Sequence, residues 1–292
     1  MALLVEDNSS RNPMRCVDKS GLSFEFSLGF LNDHVRVRAS CNGLLFCSSM
    51  KIDRAYYVCN PMTREFKLLP VIEERRLTKI VGLAVDPYTQ RYNVVLAVLA
   101  DSDSSYVLRL FNCLLFDSET NVWKKLVFDS FGTGGGLVYT ADQNQVVSVG
   151  RSLYCLSVSS KILVFDLFNE AWKEITPPAE IAKSCTSRVL LLELEGSLSV
   201  TNILGEWMNI WVLKDCLREE WELADRVNLG SISEFLRETA FPVTLNRDFI
   251  FLRTFRDVWV FRRKSRKWNK VHKASWRFHA FPFRSTLCSC YY

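Results

Sequence analysis

The chain has 292 residues, 48% hydrophobic and 13% aromatic, with only 12 Gly and 8 Pro, which gives it material for a large core and excludes a disordered chain. Its net charge of +5 is mild for this length and does not point to a nucleic-acid partner. No apolar run approaches the roughly 18 residues of a membrane helix, and the acidic start Met-Ala-Leu-Leu-Val-Glu-Asp lacks the basic flank of a signal peptide, so a cytoplasmic or nuclear protein with reduced thiols is expected.

In chain order, residues 1–20 read as a flexible N-terminal tail and 21–292 as one domain. Phe24, Phe26, Leu28 and Phe30 alternate as a strand would. From His34 onward one cassette recurs: an apolar strand ending in Asn or Asp, a short polar turn, and an aromatic six positions on. The copies are Asn60 to Phe66, Asp117 to Trp123, Asp166 to Trp172 and Asp215 to Trp221, with a degenerate fifth running from Arg262 to Trp268. A carboxylate or amide at the strand end can accept from backbone amides two residues on, which starts the turn, and the aromatic then packs on the returning strand.

The copies are 57, 49, 49 and 47 residues apart, a period that suits a four-stranded propeller blade. The third period divides into 146–149, 152–156, 161–167 and 171–175, the fourth into 188–194, 197–203, 209–214 and 220–223, and the fifth into 241–245, 249–253, 258–261 and 267–271. The fold expected is all-β and β-propeller-like, with about five four-stranded repeats. The front segment and the aromatic segment Trp276, Phe278, Phe281 and Phe283 both need a partner, so a composite closing blade, making six, is expected from pairing the two ends.

Three stretches resemble the F-box-associated domain of the plant F-box family: Ser40-Cys41-Asn42-Gly43-Leu44-Leu45; Asn60-Pro61-Met62-Thr63-Arg64 with Leu69-Pro70; and Gly82 with Asp86-Pro87-Tyr88-Thr89 and Tyr92-Asn93-Val94-Val95. Taken alone, these residues read as turn and core builders. The resemblance implies a kelch-like propeller that recruits a protein substrate to a ubiquitin ligase. It also implies a Skp-type adaptor as partner where an F-box is present in a longer form. Residues 1–20 show neither the amphipathic helices nor the Leu-Pro start of an F-box, so the F-box is expected to be absent and adaptor binding is placed on no residue.

Catalytic, cofactor and metal sites are not expected. Gly132-Thr133-Gly134-Gly135-Gly136 lacks the Lys-Ser or Lys-Thr of a phosphate loop. His34, His272 and His279 show no metal-ligand spacing, no Gly-x-Ser-x-Gly elbow occurs, and Cys288-Ser289-Cys290 reads as a frayed terminus. The stretch from Arg262 to Arg277, with eight Lys and Arg and no acid, reads as a solvated hairpin, with nuclear import or contact with an acidic or RNA partner as the functional reading. A protein-interaction module is therefore expected, the alternative being a glycan- or small-ligand-binding propeller.

Overall fold

A computed structural model describes residues 1–7, 14–51, 55–72, 78–99, 111–126, 146–157, 160–182, 189–274 and 278–291. Three strands open the chain, β1 (Ala2–Asp7), β2 (Met14–Asp18) and β3 (Ser23–Phe26). The first blade follows as β4 (Val35–Cys41), β5 (Leu44–Ser49), β6 (Tyr56–Asn60) and β7 (Glu65–Leu68), and the second as β8 (Thr78–Val85), β9 (Tyr92–Leu99), β10 (Phe111–Asp117) and β11 (Val122–Leu126). The third blade is β12 (Val147–Val149), β13 (Ser152–Leu156), β14 (Ile162–Asp166) and β15 (Ala171–Ile175). β16 (Val189–Leu194), β17 (Ser197–Leu204), β18 (Trp207–Asp215) and β19 (Glu220–Asn228) form the fourth. The fifth is β20 (Phe241–Leu245), β21 (Phe249–Arg253), β22 (Asp257–Arg262) and β23 (Lys267–Lys273), and β24 (Phe278–Phe283) comes last.

Each of the five blades is an antiparallel meander in chain order, and a sixth four-stranded sheet has the order β24-β1-β2-β3. The fold is thus an all-β, six-bladed propeller, with the composite closing blade expected from the sequence. Its register runs from Ala2 opposite Phe283 to Asp7 opposite Phe278. Among the described residues the α-helices are α1 (Ala179–Ala182) and α2 (Glu234–Glu238), and no helix is long and apolar enough to cross a membrane.

By compactness the chain divides into two units, one of Met1–Phe26, Ser160–Leu163 and Lys173–Phe283, the other of Ser27–Ser159, Val164–Trp172 and Arg284–Tyr292. In the former, Ile210, Val227, Ile250 and Phe261 form a core between the fourth and fifth blades, and Leu3, Val5, Phe251 and Phe278 form one between the fifth and closing blades. In the latter, Phe46, Val58, Tyr92 and Phe116 pack between the first and second blades. Alternation explains these cores, because every second strand residue faces the neighbouring sheet. Gly82 on β8 is required by close approach: a Cβ there would come within 2.8 Å of Val146 Cγ1 and 3.1 Å of Leu153 Cδ1.

Several expectations are corrected. Residues 1–7 and 14–20 do not form a flexible tail: they hold β1 and β2, with Leu3, Leu4, Val5 and Val17 buried. β1 lies between β24 and β2, so its burial comes from a partner more than 270 positions away that local pattern cannot reveal. The front strand ends at Phe26, and Leu28 and Phe30 belong to the turn after it, where the Phe30 ring lies 6.2 Å from that of Phe66. β19 runs to Asn228, not 223, because a register shift between Ile210 and Trp211 lets pairing with β18 continue past the polar run at 225–226. Trp276, Arg277 and the Gly132–Gly136 loop lie outside the described residues.

Candidate functional site

The repeat residues build turns. The Asn60, Asp117, Asp166 and Asp215 side chains accept from the amides of Met62, Glu119, Phe168 and Leu217 at 2.8–2.9 Å. Four residues after each strand-end position, Arg64, Asn121, Glu170, Glu219 and Arg266 take positive φ, between 49° and 62°. The degenerate fifth copy therefore keeps the turn although Arg262 cannot accept. Asp86 caps the β8–β9 turn in the same way, and the amides of Thr89 and Tyr88 hold its carboxyl below the ordinary carboxylate range.

The aromatic six positions on has a second task. Trp123, Trp221 and Trp268 each donate Nε1–H at 2.9 Å to a carbonyl at the end of the preceding blade's outer strand, those of Pro70, Thr176 and Asn228. Trp172 packs its ring 4.7 Å from Phe165, and Phe66, which has no N–H to give, packs beside Tyr57 and Phe30. Trp221→Phe keeps the ring and removes the bond to Thr176; a loss of about 1–2 kcal/mol in urea unfolding is expected. An unchanged midpoint would show that the tie carries no stability.

In a meander, the turn between the inner two strands and the turn before the outer strand lie at the same end of the sheet. The Arg91–Glu119 ion pair at 2.5 Å joins two such turns in the second blade. At these tips, in the unit of Ser27–Ser159, Val164–Trp172 and Arg284–Tyr292, Met62, Tyr88 and Phe168 are 46%, 94% and 71% exposed, and the Arg151 guanidinium sits 5.2 Å from the Phe168 ring centre. In the other unit Leu217 is 91% exposed. All four occupy the second position after the capping Asn or Asp, where the turn uses only the backbone N–H. Sequence reasoning missed them, although a large apolar residue at a position that asks for none was the available signal.

Residues 262–274 of the basic stretch form a mostly exposed hairpin of the fifth blade, with some of its cations engaged by neighbouring groups. Arg263 Nε lies 3.3 Å and Arg266 Nη1 2.9 Å from the Asp225 carboxylate on β19, Arg262 stacks over Phe249, and Lys270 over Trp259. Burial pulls the Arg263 guanidinium below its usual range while Asp225 opposes it, so the pair is interdependent. Asp225→Ala strands a mostly buried cation, and a loss of roughly 2–4 kcal/mol is expected by chemical denaturation. Recovery in the double variant with Arg263→Met would confirm the cause; equal stability of Asp225→Ala and the native chain would refute it.

The family-like motifs converge on the C-terminal residues 284–291, which lie against the first and second blades. Asn60 is fully buried and donates Nδ2–H to the carbonyls of Thr286 at 3.0 Å and Cys288 at 2.8 Å. Tyr92 Oη donates to the Cys290 carbonyl at 3.2 Å. Thr286 Oγ1 donates to the Asn42 carbonyl at 2.8 Å, and a Cβ on Gly43, whose φ is +85°, would come within 2.1 Å of that oxygen. Cys288 and Cys290 are 4% and 0% exposed, so the reading as a frayed terminus is corrected. Their carbonyls and the Cys290 thiol are met by groups that the sequence places more than 195 residues away. Burial raises both thiols above the usual cysteine range. Among the described residues, no three His, Cys, Asp or Glu side chains gather as a metal site.

Comparison with known proteins matches residues 6–261 to the F-box associated beta propeller domain. The chain is 37% identical over 306 aligned positions to the F-box protein At5g49610 of Arabidopsis thaliana, covering 99% of this chain and 84% of that protein. It is 25% identical to the Putative F-box/kelch-repeat protein At1g12870 of the same plant, over 73% of this chain and 53% of that protein. It is 27% identical to Protein ABERRANT PANICLE ORGANIZATION 1 of Oryza sativa subsp. indica, over 48% of this chain and 32% of that protein. The chain thus spans about half, or less, of the length of the latter two relatives.

Proposed function

Because the chain belongs to the family of F-box associated β-propeller domains, we propose that it is a non-catalytic module that holds a protein substrate for recruitment, acting in the cytoplasm or nucleus. In a form that also carries an F-box, it would bring that substrate to the Skp-type adaptor of a ubiquitin ligase. The observation that supports this reading is the set of apolar tips Met62, Tyr88, Phe168 and Leu217, which the turns do not need and the core does not use. Apolar and aromatic anchors rimmed by charge are the usual energetic centres of protein interfaces.

The test is proximity labelling in plant cells with the native chain, a variant carrying Glu at all four tips, and a control carrying Glu at exposed Leu204. Surface changes of this kind cost within about 0.5 kcal/mol each, so folding is preserved. Loss of a reproducible set of neighbours in the tip variant alone supports the proposal. Identical sets in all three chains refute it, and binding to a glycan array that survives the tip changes would favour the small-ligand alternative.

A further inference from the structure

Residues 284–291 belong to no sheet, yet they are bound as an extended peptide is bound. Alternate side chains turn inward: Cys288 and Cys290 are buried, while Leu287 before them and Tyr291 after them are 84% and 60% exposed. The groove reads the main chain with side-chain groups. Asn60 serves two carbonyls, Tyr92 a third, and Gln90 Oε1 accepts from the Ser289 amide at 3.2 Å. Tyr291 Oη donates to the Phe66 carbonyl at 2.7 Å, and Thr286 to that of Asn42. Main-chain contacts supply affinity for any extended segment, and the alternating pockets supply selectivity, which is the logic of peptide recognition by folded domains.

We infer that this groove is a peptide-binding site filled in cis by the chain's own C-terminal segment. The class of ligand it takes in trans is an extended segment of a partner protein with a hydroxyl residue followed, at the second and fourth positions, by small apolar side chains. The Cys290 thiol is fully buried and lies 3.6 Å from the Glu65 carbonyl, a position that suits a small side chain. The chemistry of the backbone contacts does not depend on how the segment is tethered. Tethering gives the cis segment an effective concentration on the order of millimolar, so a partner segment succeeds only where other contacts hold it nearby. The identity of a partner rests on the recruiting role proposed above; the binding itself does not, and it is measured on the purified chain.

The experiment adds the synthetic peptide Arg-Ser-Thr-Leu-Ala-Ser-Ala-Tyr-Tyr, in which Ala replaces both cysteines, to the full chain. Alkylation of the chain's own Cys288 and Cys290 is followed by mass spectrometry. Displacement exposes both thiols, and a rise of about tenfold in their alkylation rate at several millimolar peptide is expected, with buried Cys113 and Cys155 unaffected. A peptide with Asp at both Ala positions should give no rise. In a second arm, the full chain carrying Cys288→Asp and Cys290→Asp, checked for native circular dichroism, should bind fluorescent peptide about tenfold more tightly than the native chain does. Adding Gly43→Val to that variant should abolish the binding. Thiol rates unchanged by any peptide would overturn the proposal. So would thiol protection that grows with chain concentration together with a dimer on a sizing column, which would give the groove to a second copy of the chain.

Discussion

Deleting residues 1–7 is expected to abolish soluble monomeric protein. Leu3, Leu4 and Val5 are at most 2% exposed, and burying each contributes about 1.5–3 kcal/mol, or roughly 4.5–9 kcal/mol together. A domain of this kind has a net stability of only about 5–15 kcal/mol. The deletion also removes the middle of the closing blade, leaving the facing edges of β24 and β2 unpaired, and open edges invite intermolecular pairing. Soluble yield and sizing chromatography measure the result. A point variant, Leu4→Asp, tests the same strand without shortening the chain and should cost at least about 3 kcal/mol. A deletion product with the native unfolding midpoint would show that β1 contributes nothing to the fold.

Asn60→Asp is expected to cost about 3–5 kcal/mol, more than any other conservative single change among the cassette residues. The carboxylate keeps the acceptor for the Met62 amide but sets an oxygen where Nδ2–H served the Thr286 and Cys288 carbonyls. Three acceptors then face one another in a site with no exposure. Burial beside two carbonyls would raise this carboxyl's pKa in the folded protein above its unfolded value of about 3.9. The destabilisation therefore sets in as pH rises through about 4 and is complete above the folded pKa, and the gap from the native chain narrows in acid, where a protonated Asp again donates one bond. Urea unfolding at about pH 4 and at neutral pH reads the effect. A gap that widens in acid would mean that the carboxylate has found another partner.

Four of the five cassettes were legible because an Asx turn depends on one local acceptor and a fixed count of residues, the fifth because its aromatic keeps the same spacing, and a period near 49 then implies a blade. Asn60 shows where that legibility stops. As a turn residue it is fully accounted for by Met62, so nothing in the local pattern hints that its amide also holds a segment 226 positions away. Trp221 is similar: the strand pattern explains its ring and says nothing of its N–H. The start of the chain was misread for a related reason, since β1 is one short strand whose hydrogen-bond partner on one side is β24. The candidate surface escaped because exposure is a property of packing: Tyr88 and Tyr92 lie four residues apart on one turn, and one is 94% exposed while the other is fully buried.

The pairing of β1 with β24 also has a consequence in time. A ribosome adding about 5–20 residues per second needs roughly 15–55 s between releasing Asp7 and completing Phe278. Throughout that interval β1 carries Leu3, Leu4 and Val5 with one edge unmet, while the blades encoded between can assemble behind it. Closure is thus a late event of very high contact order, which waits until β24 has been made.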